Sequence, residues 1–582
     1  MSPNDQNNSS LPMVVAVTGH RDLVPEEMDG IRRRVADLLT RLKNEYPERT
    51  ISVMSSLAEG ADRVVARVAL ELGIRIVVPL PMSREFYEED FTTSESLQEF
   101  DELCSSADEI FELPLVRGLS VDDIRTSDAE RSKQYAQLGV FLCAHCHILL
   151  ALWDGKPGTE LGGTGQVVRF HHDDIMPGYT SKSVTSQQTL VDDESDLVYH
   201  VVCSRDRSDG GPLKGLNPVD AFWFTKDRDN PRSESMPDQH RTIFERSAEF
   251  SRDTARFGDQ IERESYPLYR DGQEHQLPPG VDDINRLFCS ADWLAIHYQG
   301  RTLRTLRLGH VLAFLMGLMF ILFADLDAEP WYMYAFLAFF VFAALLQARA
   351  KKRAWHRKYL DYRTLAEGLR VQFYWAVAGA TNENESKFAH DNFLQSQDPE
   401  LGWIRNVMRV AGTRIDASPN RDLSGLNFVL REWIGDRDNG QLGFFRKKSA
   451  DRIRKNRLTE RLGTASLLTS VSVVLVLVFA SDLLPAGLAD PLKVLMGTML
   501  LLFGIRQGYA YATAEKELIK QYDFMLRIFY NARRRLDNTD DPDEQRQILL
   551  ALGGSALDEH AEWILMHRDR SIDESEIWRM SN

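Results

Sequence analysis

At 582 residues the chain is too long for one compact core and predicts three or four folding units. Its net charge of −17 argues against nonspecific binding to DNA or RNA, so no nucleic-acid partner is expected. The mean hydropathy of −0.31 is that of a soluble protein, but the average hides apolar residues concentrated late in the chain.

Residues 1–10 are polar and lack the basic region and apolar run of a signal peptide, so the N-terminal domain is expected to stay in the cytoplasm. Five cysteines (Cys104, Cys143, Cys146, Cys203, Cys289) form an odd set without framework spacing, which predicts reduced thiols. From 11 to 205 short apolar runs alternate with helical patterns. Strands are expected at 14–18, 51–57, 74–80, 108–113, 147–153 and 199–204. Between them, helices are expected from Pro25 to about Tyr46, over 59–72 with Gly73 as stop, and over 128–146. The alternation predicts an α/β domain with a mostly parallel, doubly wound sheet. Residues 176–196 look like an insertion and 206–238 like a linker.

Helical patterns resume over 239–380, where 308–324 and 331–346 are uncharged runs of 17 and 16 residues. A second pair lies at about 463–480 and 491–505, after a helical connector over 381–462, and C-terminal helices follow to 582. Four such runs in two pairs predict two transmembrane hairpins within an all-α region, with the lipid bilayer as partner. Lys and Arg flank both hairpins (Arg301, Arg304 and Arg307; Arg349–Arg353; Arg446–Arg461; Arg506), whereas the hairpin loops carry acids only. The positive-inside rule then puts the loops outside and both termini in the cytoplasm, as in a bacterial inner membrane. Each hairpin precedes a long helix rich in Tyr and Arg, which suggests a loose repeat. In the spans Gly309, Ala313 and Gly317, and then Gly504 and Gly508, recur every four residues, as in a close packing seam.

Three motifs follow predicted strands, where loops of a doubly wound sheet line the ligand crevice. Gly19-His20-Arg21 follows the first strand. Ser56, Glu59, Gly60 and Asp62 follow the second. Asp154-Gly155 and the turn Gly162-Gly163-Thr164 follow the fifth and feed a helix. Glycines admit close backbone approach, a helix start offers free amides to an anion, and Arg21 can fork onto phosphate. Together they predict a nucleotide-like small-molecule ligand, with no metal and no other cofactor.

In residues 13–205 the runs Val-Thr-Gly-His-Arg at 17–21, Ser-Leu-Ala-Glu-Gly-Ala-Asp-Arg at 56–63 and Trp-Asp-Gly at 153–155 with Gly-Gly-Thr at 162–164 resemble the SLOG superfamily. That group joins the lonely-guy phosphoribohydrolases with the DNA-processing protein A family. The resemblance implies a Rossmann-like fold that binds nucleotides or signals derived from them, with Gly19, Gly60, Gly162, Gly163 and Thr164 at the ligand. Residues 285–582 resemble the two-transmembrane effector modules called SLATT, through Tyr362-Arg363, Ala366-Glu367, Phe373-Tyr374 and Glu562-Trp563. This second resemblance implies an oligomeric sensor–effector that disrupts membranes in antiphage defence. One departure bears on chemistry: Val167 stands where the phosphoribohydrolases carry their acid/base Glu, and a valine moves no proton. Sensing without turnover is therefore expected. The alternatives are a membrane-tethered hydrolase of a nucleotide or NAD-like molecule, with Glu59 or Asp62 as catalytic carboxylate, and a ligand-regulated channel or carrier. Cys143-Ala144-His145-Cys146-His147 spells a haem-attachment pattern, but that chemistry needs export, so buried packing is expected. His171-His172-Asp173-Asp174 reads as a polar helix end.

Overall fold

The computed structural model describes residues 11–180, 196–227, 231–270, 272–273, 277–326, 328–380, 393–394, 398–417, 422–480, 483–485 and 487–569. It divides into two compact units. One holds the chain up to Ser290 with Glu367–Leu426 and Leu549–Asp558; the other holds Ala291–Ala366, Asn427–Ile548 and the remainder from Glu559.

The first unit is built on an eight-stranded mixed sheet. Its strands are β1 (Met13–Gly19), β2 (Ile51–Met54), β3 (Arg75–Leu80), β4 (Glu109–Glu112), β5 (Ile148–Trp153), β6 (Val198–Val202), β7 (Ala221–Phe224) and β8 (Arg232–Ser233). The order is β4-β3-β2-β1-β5-β6-β7-β8, parallel from β4 through β6 and antiparallel at β7 and β8. The six parallel strands are those the apolar runs predict. The last two lie in 206–238, the stretch read as a linker, where Ala221-Phe222-Trp223-Phe224 pairs with β6 and extends the sheet. The insertion 176–196 falls mostly outside the described residues.

Helices α1 (Met28–Glu45), α2 (Ala61–Glu71), α3 (Arg84–Glu88), α4 (Ser94–Ser105), α5 (Asp128–Ala144) and α6 (Thr164–Asp173) connect the strands. Gly73 takes φ +64° just past the end of α2, the conformation a helix stop favours. Val14, Ala16, Leu149 and Ala151 of the central strands pack with Leu138 and Phe141 of α5 and Val168 and Phe170 of α6. Strand order runs outward from β1 to β4, then returns to β5 on the other side of β1. The β1–β5 boundary is thus the switch point, where diverging loops open a crevice at the strands' carboxyl ends. His171 and His172 lie in the last turn of α6, at the helix end the sequence predicts, but both side chains are buried.

The helices of the later chain are α7 (Asp238–Arg256), α8 (Val281–Asp325), α9 (Pro330–Lys352), α10 (Trp355–Ala378), α11 (Gly402–Ala411), α12 (Gly440–Phe479), α13 (Ala489–Ala512), α14 (Glu515–Leu536) and α15 (Pro542–Asp569). Among the described residues three helical runs are long and apolar enough to cross a membrane: α8, the run Pro330–Ala378 whose apolar part is α9, and α12. Large apolar side chains on them lie exposed, among them Val311, Phe320, Leu337, Phe342, Leu345, Leu475 and Phe479. Such contiguous apolar surface is the mark of a lipid- or protein-facing helix. The expected fourth span, α13, falls short because Lys493 and Arg506 bound its uncharged run at 494–505.

Within the second unit α13 packs against both α12 and α8. Ser470 Oγ donates to Met496 O at 3.1 Å, and Arg506 donates to Asn456 Oδ1 at 3.2 Å. A Cβ at Gly317 would lie 2.7 Å from Leu501 Cδ2, and one at Gly497 would lie 3.2 Å from Ile321. Gly317 thus belongs to a real seam, but Gly309 and Gly504 face open space. Ala354 and Ala514 both take φ +48°, and each separates an apolar helix from the helix that follows it, α10 or α14.

Candidate functional site

A cleft of about 780 Å³ lies at the switch point. Nine of the residues singled out in the sequence line it: Gly19, His20, Arg21, Ser56, Asp62, Asp154, Gly162, Gly163 and Thr164. They come from the end of β1 and the loop after it, from the loops after β2 and β5, and from the starts of α2 and α6.

The loop after β1 is pressed onto the start of α2. His20 O accepts the Ala61 amide at 3.1 Å. Gly60 has φ +78°, and a Cβ there would collide with Arg21 O and His20 O. Its glycine is therefore demanded by the meeting of two loops, and Gly60 is absent from the cleft wall. Glu59 also stays out, its carboxylate engaged by the Ser96 hydroxyl. Gly155 faces Leu216 and Leu213 behind the wall.

Asp62 is only 5 % exposed and reaches the cleft from the first turn of α2. Its Oδ2 accepts from Ser55 Oγ at 3.1 Å and Ser56 Oγ at 2.9 Å. Burial pushes its carboxyl above the usual range, against the pull of those hydroxyls, the Ala58 amide and Arg21. Leu57 in the same loop is buried at φ +59°, a strained conformation for its type, and Arg63 Nε pins its carbonyl at 3.1 Å.

His20 Nε2 accepts the Asp154 amide at 3.2 Å and stands 3.3 Å from Asp154 Oδ1. Burial lowers its pKa, more than the neighbouring Asp154 raises it, so the imidazole is neutral at pH 7. Asp154 Oδ1 accepts the Lys156 amide at 3.0 Å, which shapes the turn after β5.

Four cations line the cleft. Arg205 donates to both oxygens of Asp22, at 2.8 and 3.0 Å. Arg207 pairs with Asp209 at 3.4 Å, and Lys156 Nζ donates to Asp209 O at 2.8 Å. Arg21 is exposed, stacks over the Tyr135 ring at 5.5 Å and has no hydrogen bond or ion pair among the described residues. The turn before α6 adds backbone donors. Gly163 N–H is consumed by Glu160 O at 3.0 Å, but Thr164 and Gly165 open the helix, where amides have no carbonyl of their own helix to reach. The cleft thus combines an uncommitted guanidinium with a helix N-terminus, an arrangement suited to an anion.

Val167 also lines the cleft, buried beside Gly139, with its carbonyl accepting from the Cys143 thiol. Sequence reasoning passed over Tyr87, Tyr135, Lys156, Arg205 and Arg207, which also line the cleft. In the haem-like stretch His147 Nδ1 accepts the Val14 amide at 2.9 Å, and His145 Nδ1 meets Arg409 O at 2.8 Å; both rings are buried. Among the described residues no group of three or more His, Cys, Asp or Glu is placed to hold a metal. No family model matches the chain, and no curated protein matches it in sequence.

Proposed function

We infer that this protein is a membrane-anchored sensor–effector. Its α/β domain binds a phosphate-bearing, nucleotide-like ligand in the switch-point cleft, and its apolar helices act on the bilayer. The observation that carries the reading is Arg21, a cation without an ion pair among the described residues, which lines the same cleft as the helix start at Thr164. Four spans in two hairpins fit best: α13 lacks apolar length, yet it packs between α8 and α12 as a membrane neighbour would. With both termini inside, the basic residues at 446–461 and Arg506 lie on the cytoplasmic side. α8 begins in the first unit and ends in the second. The resemblance to SLOG and SLATT chains points the same way and adds antiphage defence and an oligomeric effector as the setting.

A membrane-tethered hydrolase is the second reading, favoured by one observation. Asp62 is a buried carboxyl of raised pKa inside the cleft, as a general acid would be, whereas Glu59 is tied to Ser96. Incubation of the full chain with nucleoside monophosphates, NAD and ADP-ribose separates the two. Saturable binding without product supports the sensor, and enzyme-like release of a base supports the hydrolase. Dye leakage from vesicles carrying the protein, triggered by the bound molecule, tests the effector half.

A further inference from the structure

α12 changes character along its length. Residues 446–461, in its first part, carry eight basic residues against two acids, and the uncharged run at 463–480 follows directly. Several of these cations are engaged. Lys455 pairs with Asp451 at 2.8 Å, Lys447 donates to Asp438 O at 3.0 Å, and Arg452 stacks over the Tyr522 ring at 5.3 Å. Arg457 and Arg461 are exposed and have no hydrogen bond or ion pair among the described residues. Where the basic part meets the apolar one, they line a cavity of about 340 Å³ with Glu460, Thr464, Ala465 and Leu468.

Helical spacing puts Arg457, Arg461, Thr464 and Leu468 in one file, which Leu475 and Phe479, 52 % and 81 % exposed, continue along α12. From Arg461 to Leu475 the file runs about 21 Å, more than half of a bilayer's apolar thickness of about 30 Å. Cations at one end and apolar side chains beyond match a molecule with an anionic head and hydrocarbon tails. A soluble phosphate would leave the apolar part of the file uncovered. Glu460 opposes an anion, but Lys516 Nζ of α14 stands 3.9 Å from its Oε1 and offsets that charge. The Thr464 hydroxyl donates to Glu460 O at 2.9 Å and so offers lone pairs to a ligand. α12 is one of the runs long and apolar enough to cross a membrane, and basic residues flanking a span meet the lipid headgroups.

We propose that Arg457 and Arg461 hold the phosphate of an anionic phospholipid whose acyl chains lie along Leu468, Leu475 and Phe479. This rests on the reading that α12 crosses the bilayer, and it is independent of the cleft in the α/β domain. Guanidinium groups fork onto phosphate oxygens, so two free ones at headgroup depth favour a lipid with net negative charge. A zwitterionic lipid brings its own ammonium against them and is held less tightly.

The full chain is first floated with phosphatidylcholine vesicles, which it should accompany; failure to float overturns the membrane reading itself. In detergent it is then titrated with phosphatidylglycerol, phosphatidylcholine and glycerol 3-phosphate, and bound molecules are counted by native mass spectrometry. Phosphatidylglycerol should bind more tightly than phosphatidylcholine by about tenfold or more, from two basic residues at a membrane surface. The double variant Arg457→Gln/Arg461→Gln should lose that preference at an unchanged melting temperature, because neither side chain has a partner in the fold. Lys448→Gln/Lys455→Gln removes the same charge from the far side of the helix and should keep it. Equal loss in both double variants would assign the effect to the basic run as a whole and overturns the site. Equal affinity of the wild-type chain for the two lipids, or a preference that survives in the arginine variant, also overturns it. Glycerol 3-phosphate binding as tight as that of phosphatidylglycerol, and lost with the two arginines, would make this a site for soluble phosphate instead. A multiple of the chain mass that excludes phosphatidylglycerol would make the face an interface between copies and overturns the lipid assignment.

Discussion

Gly163→Asp turns the anion site against its own ligand. Gly163 is the N-cap of α6 at φ −71° and ψ 158°, a conformation any residue adopts. An aspartate there would accept hydrogen bonds from the opening amides of α6, occupying the donors assigned to phosphate. Its Cβ would stand 3.1 Å from Glu160 O, which a shift of a few tenths of an ångström relieves. Fold stability should change by less than about 1 kcal/mol, since an Asp cap exceeds Gly by a few tenths and the helix dipole adds about 0.3–1 kcal/mol. Ligand binding should suffer far more. A carboxylate about 4 Å from a phosphate costs about 1 kcal/mol in water and about 4 kcal/mol at a partly dry surface, or roughly fivefold to a thousandfold in affinity. The assay is titration of the full chain with inorganic pyrophosphate, alongside thermal melting. Gly163→Ala is the control, adding bulk without charge. Wild-type pyrophosphate affinity in the Asp variant, with the fold intact, refutes the placement of the anion at α6.

Asp62→Asn should flatten the dependence of stability on pH. A carboxyl whose folded pKa is raised gives stability that is present below its ordinary value of 3.8 and lost as pH rises through the folded value; the variant should therefore melt higher than wild type at neutral pH and alike at the acid end. Equal melting at both ends would mean Asp62 is not buried as charge. Gly317→Val should weaken the α8–α13 pairing by about 1–3 kcal/mol in detergent melts, because its Cβ would sit 2.7 Å from Leu501 Cδ2. Cysteines introduced at Ala328 and Pro485 should react with an impermeant reagent from outside intact cells, and one at Arg353 should not; a single reversed site breaks the two-hairpin topology.

The parallel core was legible because β1, β5 and β6 are buried almost throughout, so they read as unbroken apolar runs. β7 was missed because its four residues sit among Gly, Pro and charges, and β8 has two residues. The cleft was legible where its residues follow strands, since topology brings those loops together. Gly19 and Gly60 were right to draw notice but ambiguous in meaning: a glycine required by a neighbouring loop leaves the same trace as one required by a ligand. Tyr87 and Tyr135 lie on separate helices with no local pattern to link them, and only the tertiary structure puts both hydroxyls at one cavity. Hydropathy located three helical runs long and apolar enough to cross a membrane, whereas the shortfall of α13 depends on two charges, Lys493 and Arg506, at the ends of its run.

The central claim is that the cleft holds a phosphate-bearing molecule, and mass spectrometry of small molecules carried by the purified full chain tests it most directly. Wild type and Arg21→Ala are to be prepared in parallel and their released ligands compared. The account predicts a phosphorylated molecule at substantial occupancy on wild type and its loss from Arg21→Ala, since that guanidinium is the uncommitted cation of the cleft. Equal occupancy on both proteins, or a bound molecule without phosphate, would contradict it.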